Sequence, residues 1–292
     1  KGQLWESALA SLWQAHSVKA LDIIIYTTAI GACSMGRQWN LALELMGVAL
    51  SEGLRPNLMT VSALISACEI GQQWEQALAM LRYAQAAGLS PNVITYSVAM
   101  NACQKGQQWT VSLELFRKAR SRRIRPDLIM CSAAVVACSR GHAWAQAMML
   151  MRQVEKKSRP CRGQMSHLIA HSAAVSACEK GHQWARALEL FSRGREHLIL
   201  DVIPYSAAIS ACEKSQLWES AIELLDQMYQ GEIAPDLMVC NAMISSFDKG
   251  RQWERALQFI TAMGSLTVVP DVISFNAAMA ACERGRQWRV AL

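Results

Sequence analysis

The chain has 292 residues, 52% of them hydrophobic, with a net charge of +6 and a pI near 8.8. No signal peptide stands at the start, and no uninterrupted apolar run reaches the ~18 residues of a membrane span, while the mild basicity suits an acidic partner. Ten cysteines invite a disulfide framework, but eight lie inside apolar helical patterns, seven of them a full repeat apart at one register, and no C-x-x-C pair occurs; small buried residues in a reducing compartment are the expectation.

Tryptophan recurs at 39, 74, 109, 144, 184, 218, 253 and 288, with gaps of 35, 35, 35, 40, 34, 35 and 35. Six residues ahead of most of them stands Cys33, Cys68, Cys103, Cys138, Cys178, Cys212 or Cys282, with Phe247 in the one remaining place. Self-similarity at such a period marks a repeat array.

In chain order, residues 1–22 close a partial repeat, in which Trp5, Ala8 and Leu9 match the later units. Full units are expected at 23–57, 58–92, 93–127, 128–167, 168–201, 202–236 and 237–271, and 272–292 begins another, so the sequence reads as a stretch of a longer array with any targeting segment outside it. Within a unit, apolar residues at positions 4, 7, 8 and 11 (Tyr26, Ala29, Ile30 and Cys33 in the first) share one face of a first helix. Glycine follows at Gly36, Gly71, Gly106, Gly141, Gly181, Gly250 and Gly285, with Ser215 the exception, and predicts a left-handed helix end. Tryptophan then opens a second helix, as in Trp39, Ala42, Leu43 and Met46, and Pro56, Pro91, Pro126, Pro235 or Pro270 precedes the next unit.

Two irregularities stand out. The segment EKKSRPCRGQMSH lengthens the fourth unit and reads as a surface loop. Pro204 falls in the first turn of a first helix, where its missing N–H costs little. The expected fold is all-α, a right-handed superhelical solenoid of stacked helix-turn-helix hairpins with the first helices lining a groove.

A hairpin of this length, closed by Pro-Asp or Pro-Asn and followed by V-I-T-Y-S or V-I-S-F-N, resembles the pentatricopeptide repeat family over essentially the whole chain. The tetratricopeptide repeat is the nearest competitor, but its W-x2-L-G-x2-Y pattern is absent and tryptophan here opens the second helix; Gln-Trp at that point also departs from the family's leucine-rich sequence.

The resemblance implies binding of single-stranded RNA, one base per repeat. Base readout would fall to position 5 of each first helix (Thr27, Ser62, Ser97, Ser132, Ser172, Ser206, Asn241 and Asn276) and to the last residue of the unit (Asn57, Asn92, Asp127, His167, Asp201, Asp236 and Asp271). Position 2 would sandwich the base: Ile24, Met59, Ile94, Ile129, Ile169, Ile203, Met238 and Ile273. A carboxylate accepts the ring N–H of uracil or guanine, whereas an asparagine amide donates to the ring nitrogen of adenine or cytosine. At position 5 a short hydroxyl leaves room for a purine, and the longer amide suits a pyrimidine. By the family's code, Thr27 with Asn57 and Ser62 with Asn92 favour A. Ser97 with Asp127, Ser172 with Asp201 and Ser206 with Asp236 favour G, and Asn241 with Asp271 favours U. Ser132 with His167 has no settled reading, so the implied target is 5′-AAGNGGU-3′. Ser, Asn and Asp at these places are also ordinary helix caps.

Position 13 is basic at Lys105, Arg140, Lys180, Lys214, Lys249 and Arg284, a ladder suited to phosphates or to helix C-termini. No catalytic constellation, metal site or cofactor motif is found: among the histidines at 16, 142, 167, 171, 182 and 197 only His167 and His171 are spaced i, i+4, which reads as a junction pair. Cys131 and Cys138 lie too far apart along a helix to share an ion. The expectation is RNA binding without activity in this segment, serving transcript processing, stability, editing or translation alongside other RNA-processing proteins, in a mitochondrion or plastid by family analogy. The rivals are a tetratricopeptide-like protein-binding scaffold and the RNA-binding arm of a larger RNA-processing enzyme.

Overall fold

The computed structural model describes residues 4–17, 22–157, 165–198, 200–264 and 268–286. Among them are sixteen α-helices and no strand. After α1 (Leu4–Ser17), the first helices of the hairpins are α2 (Ile23–Met35), α4 (Leu58–Ile70), α6 (Val93–Lys105), α8 (Leu128–Arg140), α10 (Met165–Lys180), α12 (Val202–Lys214), α14 (Leu237–Lys249) and α16 (Val272–Arg284). The second helices are α3 (Trp39–Ser51), α5 (Trp74–Ala86), α7 (Trp109–Ser121), α9 (Trp144–Lys157), α11 (Trp184–His197), α13 (Trp218–Gln230) and α15 (Trp253–Met263). The helix expected after Trp288 falls outside the described residues.

By packing, the chain forms two compact units, Lys1–Ala137 and Cys138–Leu292. In the first, α4 packs on α2, α3, α5 and α6. In the second, α12 packs on α10, α11, α13 and α14. Within each unit first helices thus touch one another side by side, and second helices such as α3, α5, α11 and α13 wedge between their own first helix and the next. The apolar periodicity explains this layering: Val61, Leu64, Ile65 and Cys68 are all fully buried, as are Tyr26, Ile30 and Cys33. Around α2 and α3 the core joins Leu12, Tyr26, Ile30, Leu45 and Met46 to Leu64 and Ala67 of the next hairpin.

The glycines after the first helices do not adopt the left-handed conformation that the sequence suggests. Gly36, Gly71, Gly106 and Gly250 have φ between −80° and −78°. The left-handed residue is the following one: Arg37, Gln72, Gln107, His142, His182, Gln216, Arg251 and Arg286 all have φ of 54° to 61°. Glycine is required for a different reason. A Cβ at Gly71 would lie under 3 Å from Cδ1 of Trp39, the tryptophan of the preceding hairpin, and Gly36, Gly106, Gly181, Gly250 and Gly285 meet Trp5, Trp74, Trp144, Trp218 and Trp253 in the same way. Arg186 and Arg255 stack on Trp144 and Trp218, each 4.5 Å from the ring centroid.

The long connector of the fourth unit is shorter than the sequence suggests, because α9 continues through Lys157 and α10 begins at Met165; residues 158–164 lie outside the described set. Inside α10, His171 is buried, with Nε2 2.8 Å from the Leu190 carbonyl oxygen, and burial holds its pKa below the usual value. Gly194 lies so close that a Cβ there would strike the imidazole.

Among the described residues nine cysteines are buried and none is in a disulfide; burial lifts the Cys68, Cys103, Cys178, Cys212 and Cys240 thiols to about 11. Because the thiolate is the reactive form, the native protein at pH 8 should give at most one rapidly reacting thiol with Ellman's reagent, against ten in guanidinium. The glycine contact makes a second prediction: Gly71→Ala should lower the unfolding free energy by about 1–3 kcal/mol, the range for overpacking a filled site. Gln72→Gly, which relieves a left-handed side chain, should be neutral or stabilising by up to ~1 kcal/mol. Urea denaturation of both variants checks the pair.

Candidate functional site

Position 2 of every unit projects an aliphatic side chain to solvent. Ile24, Met59, Ile94, Ile129, Ile169, Ile203, Met238 and Ile273 are 45–72% exposed. Large apolar side chains left open at one register in all eight units mark a surface built to be covered.

Beside five of these a side chain caps the helix. Asn57 accepts hydrogen bonds from the Thr60 N–H (2.9 Å) and hydroxyl (3.1 Å), and Asn92 accepts the same pair from Thr95, both at 3.0 Å. Asp127 and Asp236 each accept one backbone bond, from the Met130 and Val239 N–H groups. At Asp271 the capping box closes, with Oδ1 accepting from the Ser274 N–H at 2.9 Å and the Ser274 Oγ accepting from the Asp271 N–H at 3.2 Å. Hydrogen bonds to the carboxylate, that of the Ser274 N–H foremost, hold the Asp271 carboxyl below the usual carboxylate range against a small opposing effect of desolvation. Asp201 makes no such bond, because the residue three further on is Pro204, which has no N–H. The proline thus does cost the helix a cap, and leaves both carboxylate oxygens of an exposed side chain open.

Cap and readout need not compete. The cap uses Oδ1 alone, so Oδ2 of an aspartate or Nδ2 of an asparagine remains available.

His167 departs from the set. It is the third residue of α10 rather than a cap, it is buried at 1% exposure, and burial depresses its pKa although Glu155 opposes the shift. Extension of α10 toward its N-terminus draws the imidazole into the core, so the role expected for it beside Ser132 is not one this side chain can fill.

Position 5 falls into two groups. The hydroxyls of Ser97, Ser132 and Ser172 turn back to carbonyls of their own helices, Val93, Ile129 and Leu168, and are nearly buried. Ser62 and Asn241 instead reach the next hairpin, and Thr27 does both, its hydroxyl also donating to the Ile23 carbonyl at 2.7 Å. Oγ1 of Thr27 lies 2.7 Å from that of Thr60, Oγ of Ser62 lies 3.0 Å from Oγ1 of Thr95, and Oδ1 of Asn241 accepts from the Ser274 hydroxyl at 2.5 Å. Asn241 also donates from Nδ2 to Asp271 Oδ1 at 3.3 Å. Asn276 is exposed. Thr60, Thr95 and Ser274, fully buried at position 3 of their units, were not singled out by the sequence reading. Their only sequence signal is a hydroxyl where Met130, Ala170, Pro204 and Val239 stand elsewhere.

The basic ladder is largely a row of ion pairs. Lys105 meets Glu69 (3.1 Å), Lys214 meets Glu179, Lys249 meets Glu213 (2.7 Å) and Arg284 meets Asp248 (3.2 Å), each acid lying in the preceding hairpin. Ser210 and Ser245 donate to the same glutamates. These four cations are therefore not the uncompensated phosphate ladder expected from the sequence. Lys180 is exposed, and the preceding unit offers Ser139 at the acid's place.

Among the described residues no cluster of histidine, cysteine, aspartate or glutamate could hold a metal ion, and no helix is long and apolar enough to cross a membrane. No curated protein sequence matches the chain. Its fold is that of solved pentatricopeptide repeat proteins. A crystal structure of PPR10 in complex with an 18-nt psaJ RNA element superposes with a TM-score of 0.79 at 18% identity, covering 100% of this chain and 43% of that one. PPR10 from maize gives a TM-score of 0.64 at 16% identity, covering 100% and 46%. The chain therefore spans under half the length of these proteins. The pentatricopeptide repeat domain profile matches residues 17–70, 49–105 and 223–284, more than half of the chain, and the PPR repeat profile matches 203–231. On that match, and with hairpins stacked as described, the chain belongs to the pentatricopeptide repeat family.

Proposed function

We propose that this chain binds single-stranded RNA, one base to a repeat. The observation that carries the reading is the row of eight exposed aliphatic residues at position 2, each two residues beyond the end of the preceding unit, where a polar cap stands at six of seven junctions. Flat apolar clamps hold a base by its faces, and the cap atoms left over from helix capping address its Watson–Crick edge. PPR10, which shares the fold, was crystallised with an RNA element.

In this reading, Thr27 with Asn57 and Ser62 with Asn92 take A. Ser97 with Asp127, Ser172 with Asp201 and Ser206 with Asp236 take G, and Asn241 with Asp271 takes U. The fourth base is unselected because His167 is withdrawn into the core. The target is 5′-AAGNGGU-3′, read by seven repeats at 23–57 through 237–271. Binding would mask a transcript or present it for processing, editing or translation, in a mitochondrion or plastid as is usual in the family.

Fluorescence anisotropy with this RNA, a shuffled RNA of equal composition and the matching DNA tests the reading. The ordered RNA should bind tightest, and Asp271→Ser should move the last preference from U toward C by about tenfold or more, at ~1–3 kcal/mol per mismatched contact. Equal affinity for all three overturns base readout. Salt dependence gives a separate expectation: Lys180→Gln should reduce the slope of log K against log salt by about 0.7, one phosphate's worth on a single strand. Lys249→Gln should change it far less, because Glu213 already shares that charge.

A further inference from the structure

We propose that position 3 of each first helix is a further specificity-determining position: a buried hydroxyl there orients any asparagine in the reading pair of the preceding repeat, and so fixes which end of the amide faces the base. The inference rests on the base readout proposed above.

An asparagine amide has two unlike ends, O and NH2, that rotation about its last bond exchanges; a carboxylate has two like ends. An asparagine reader is unambiguous only if something anchors one end. The three buried hydroxyls stand at the junctions whose pair contains an asparagine. Thr95 donates to Oδ1 of Asn92, and the Thr60 hydroxyl, whose proton is shared with Thr27, lies 3.1 Å from Oδ1 of Asn57; each adds to a backbone N–H bond to the same oxygen, so Nδ2 is the end left for a ligand. At the third junction the asparagine is at position 5, and Ser274 donates to its Oδ1, leaving Nδ2 of Asn241 beside Asp271. Where the pair holds no asparagine (Ser97 with Asp127, Ser132 with His167, Ser172 with Asp201, Ser206 with Asp236), position 3 is Met130, Ala170, Pro204 or Val239.

Capping alone does not account for this pattern. Met130 and Val239 cap Asp127 and Asp236 through their backbone N–H with no hydroxyl at all. A hydroxyl buried at 0% exposure is costly unless satisfied, and at each of the three places it is satisfied by a reading residue. Thr60 and Thr95 also touch the position 5 hydroxyls of Thr27 and Ser62, so the two readers of one base are joined through a residue of the next helix.

The test is Thr95→Val, which keeps the shape and deletes the hydroxyl, read as the affinity ratio between RNAs carrying A and G at the second base. The ratio should fall about fivefold, the loss of one ordinary hydrogen bond, while ratios at the other bases stay within twofold and Thr95→Ser restores it. Val239→Thr, at a junction without asparagine, should leave the third G preference of the target within twofold. If Thr95→Val does not fold, Thr60→Val read at the first base takes its place. An unchanged ratio in a chain that does discriminate A from G overturns the role of position 3 alone; no discrimination by the unsubstituted chain overturns the readout and this proposal together.

Discussion

The contact that Trp5, Trp39, Trp74, Trp144, Trp218 and Trp253 each make with the glycine of the next hairpin is the constraint from which the rest follows. Trp39 on Gly71, Trp74 on Gly106 and Trp144 on Gly181 leave no room for a Cβ, so a hairpin can seat on its predecessor at only one register. Once that register is set, the first helices lie side by side and each position recurs in the same surroundings one repeat later. Position 2 then emerges on the open side every time, and positions 7, 8 and 11 are buried in all seven full units, Met279 of the last partial unit alone lying exposed. Solenoids gain stability from such nearest-neighbour interfaces, since no repeat buries its own apolar face alone.

The same junction carries the polar chemistry. The acid at position 12 and the base at position 13 of the next unit pair across it, with Glu179 and Glu213 each receiving a lysine and a serine hydroxyl. The acids are the more buried partners, 8–18% exposed at the side chain against 31–54% for the cations. A carboxylate so placed needs its partner, so these pairs tie hairpin to hairpin first and colour the surface potential second. Asp248 shows the tension: burial raises its carboxyl pKa even though Arg284 and Lys249 both pull it down.

On the proposed reading, one cap residue serves folding and recognition together. A helix N-terminus needs an acceptor for its orphan N–H groups, and Asn57, Asn92, Asp127, Asp236 and Asp271 supply it with one oxygen. The remaining end of the group is spare, held by the cap in a fixed direction, and reaches solvent beside an exposed aliphatic side chain. A rigid first turn thereby becomes a reading head with no loop to order.

Much of this was legible in the residues themselves. The tryptophan period, the i, i+3, i+4, i+7 apolar faces and the closing prolines determined an all-helical repeat, its layers and the family, because periodicity in sequence is periodicity in packing. The exposed row at position 2 was legible for the same reason. Tertiary structure alone decided what depends on the neighbouring hairpin. It assigned the glycines to tryptophan contact rather than to a left-handed turn, because the clashing ring lies 31 to 37 residues earlier in sequence. It joined Lys249 to Glu213 across two helices and turned a row of like charges into ion pairs. It drew His167 into the core by lengthening α10, and it set Thr60, Thr95 and Ser274 against the reading residues of another repeat. Local sequence specifies a helix and its apolar face; which side chain meets which across a junction follows only when the faces are brought together.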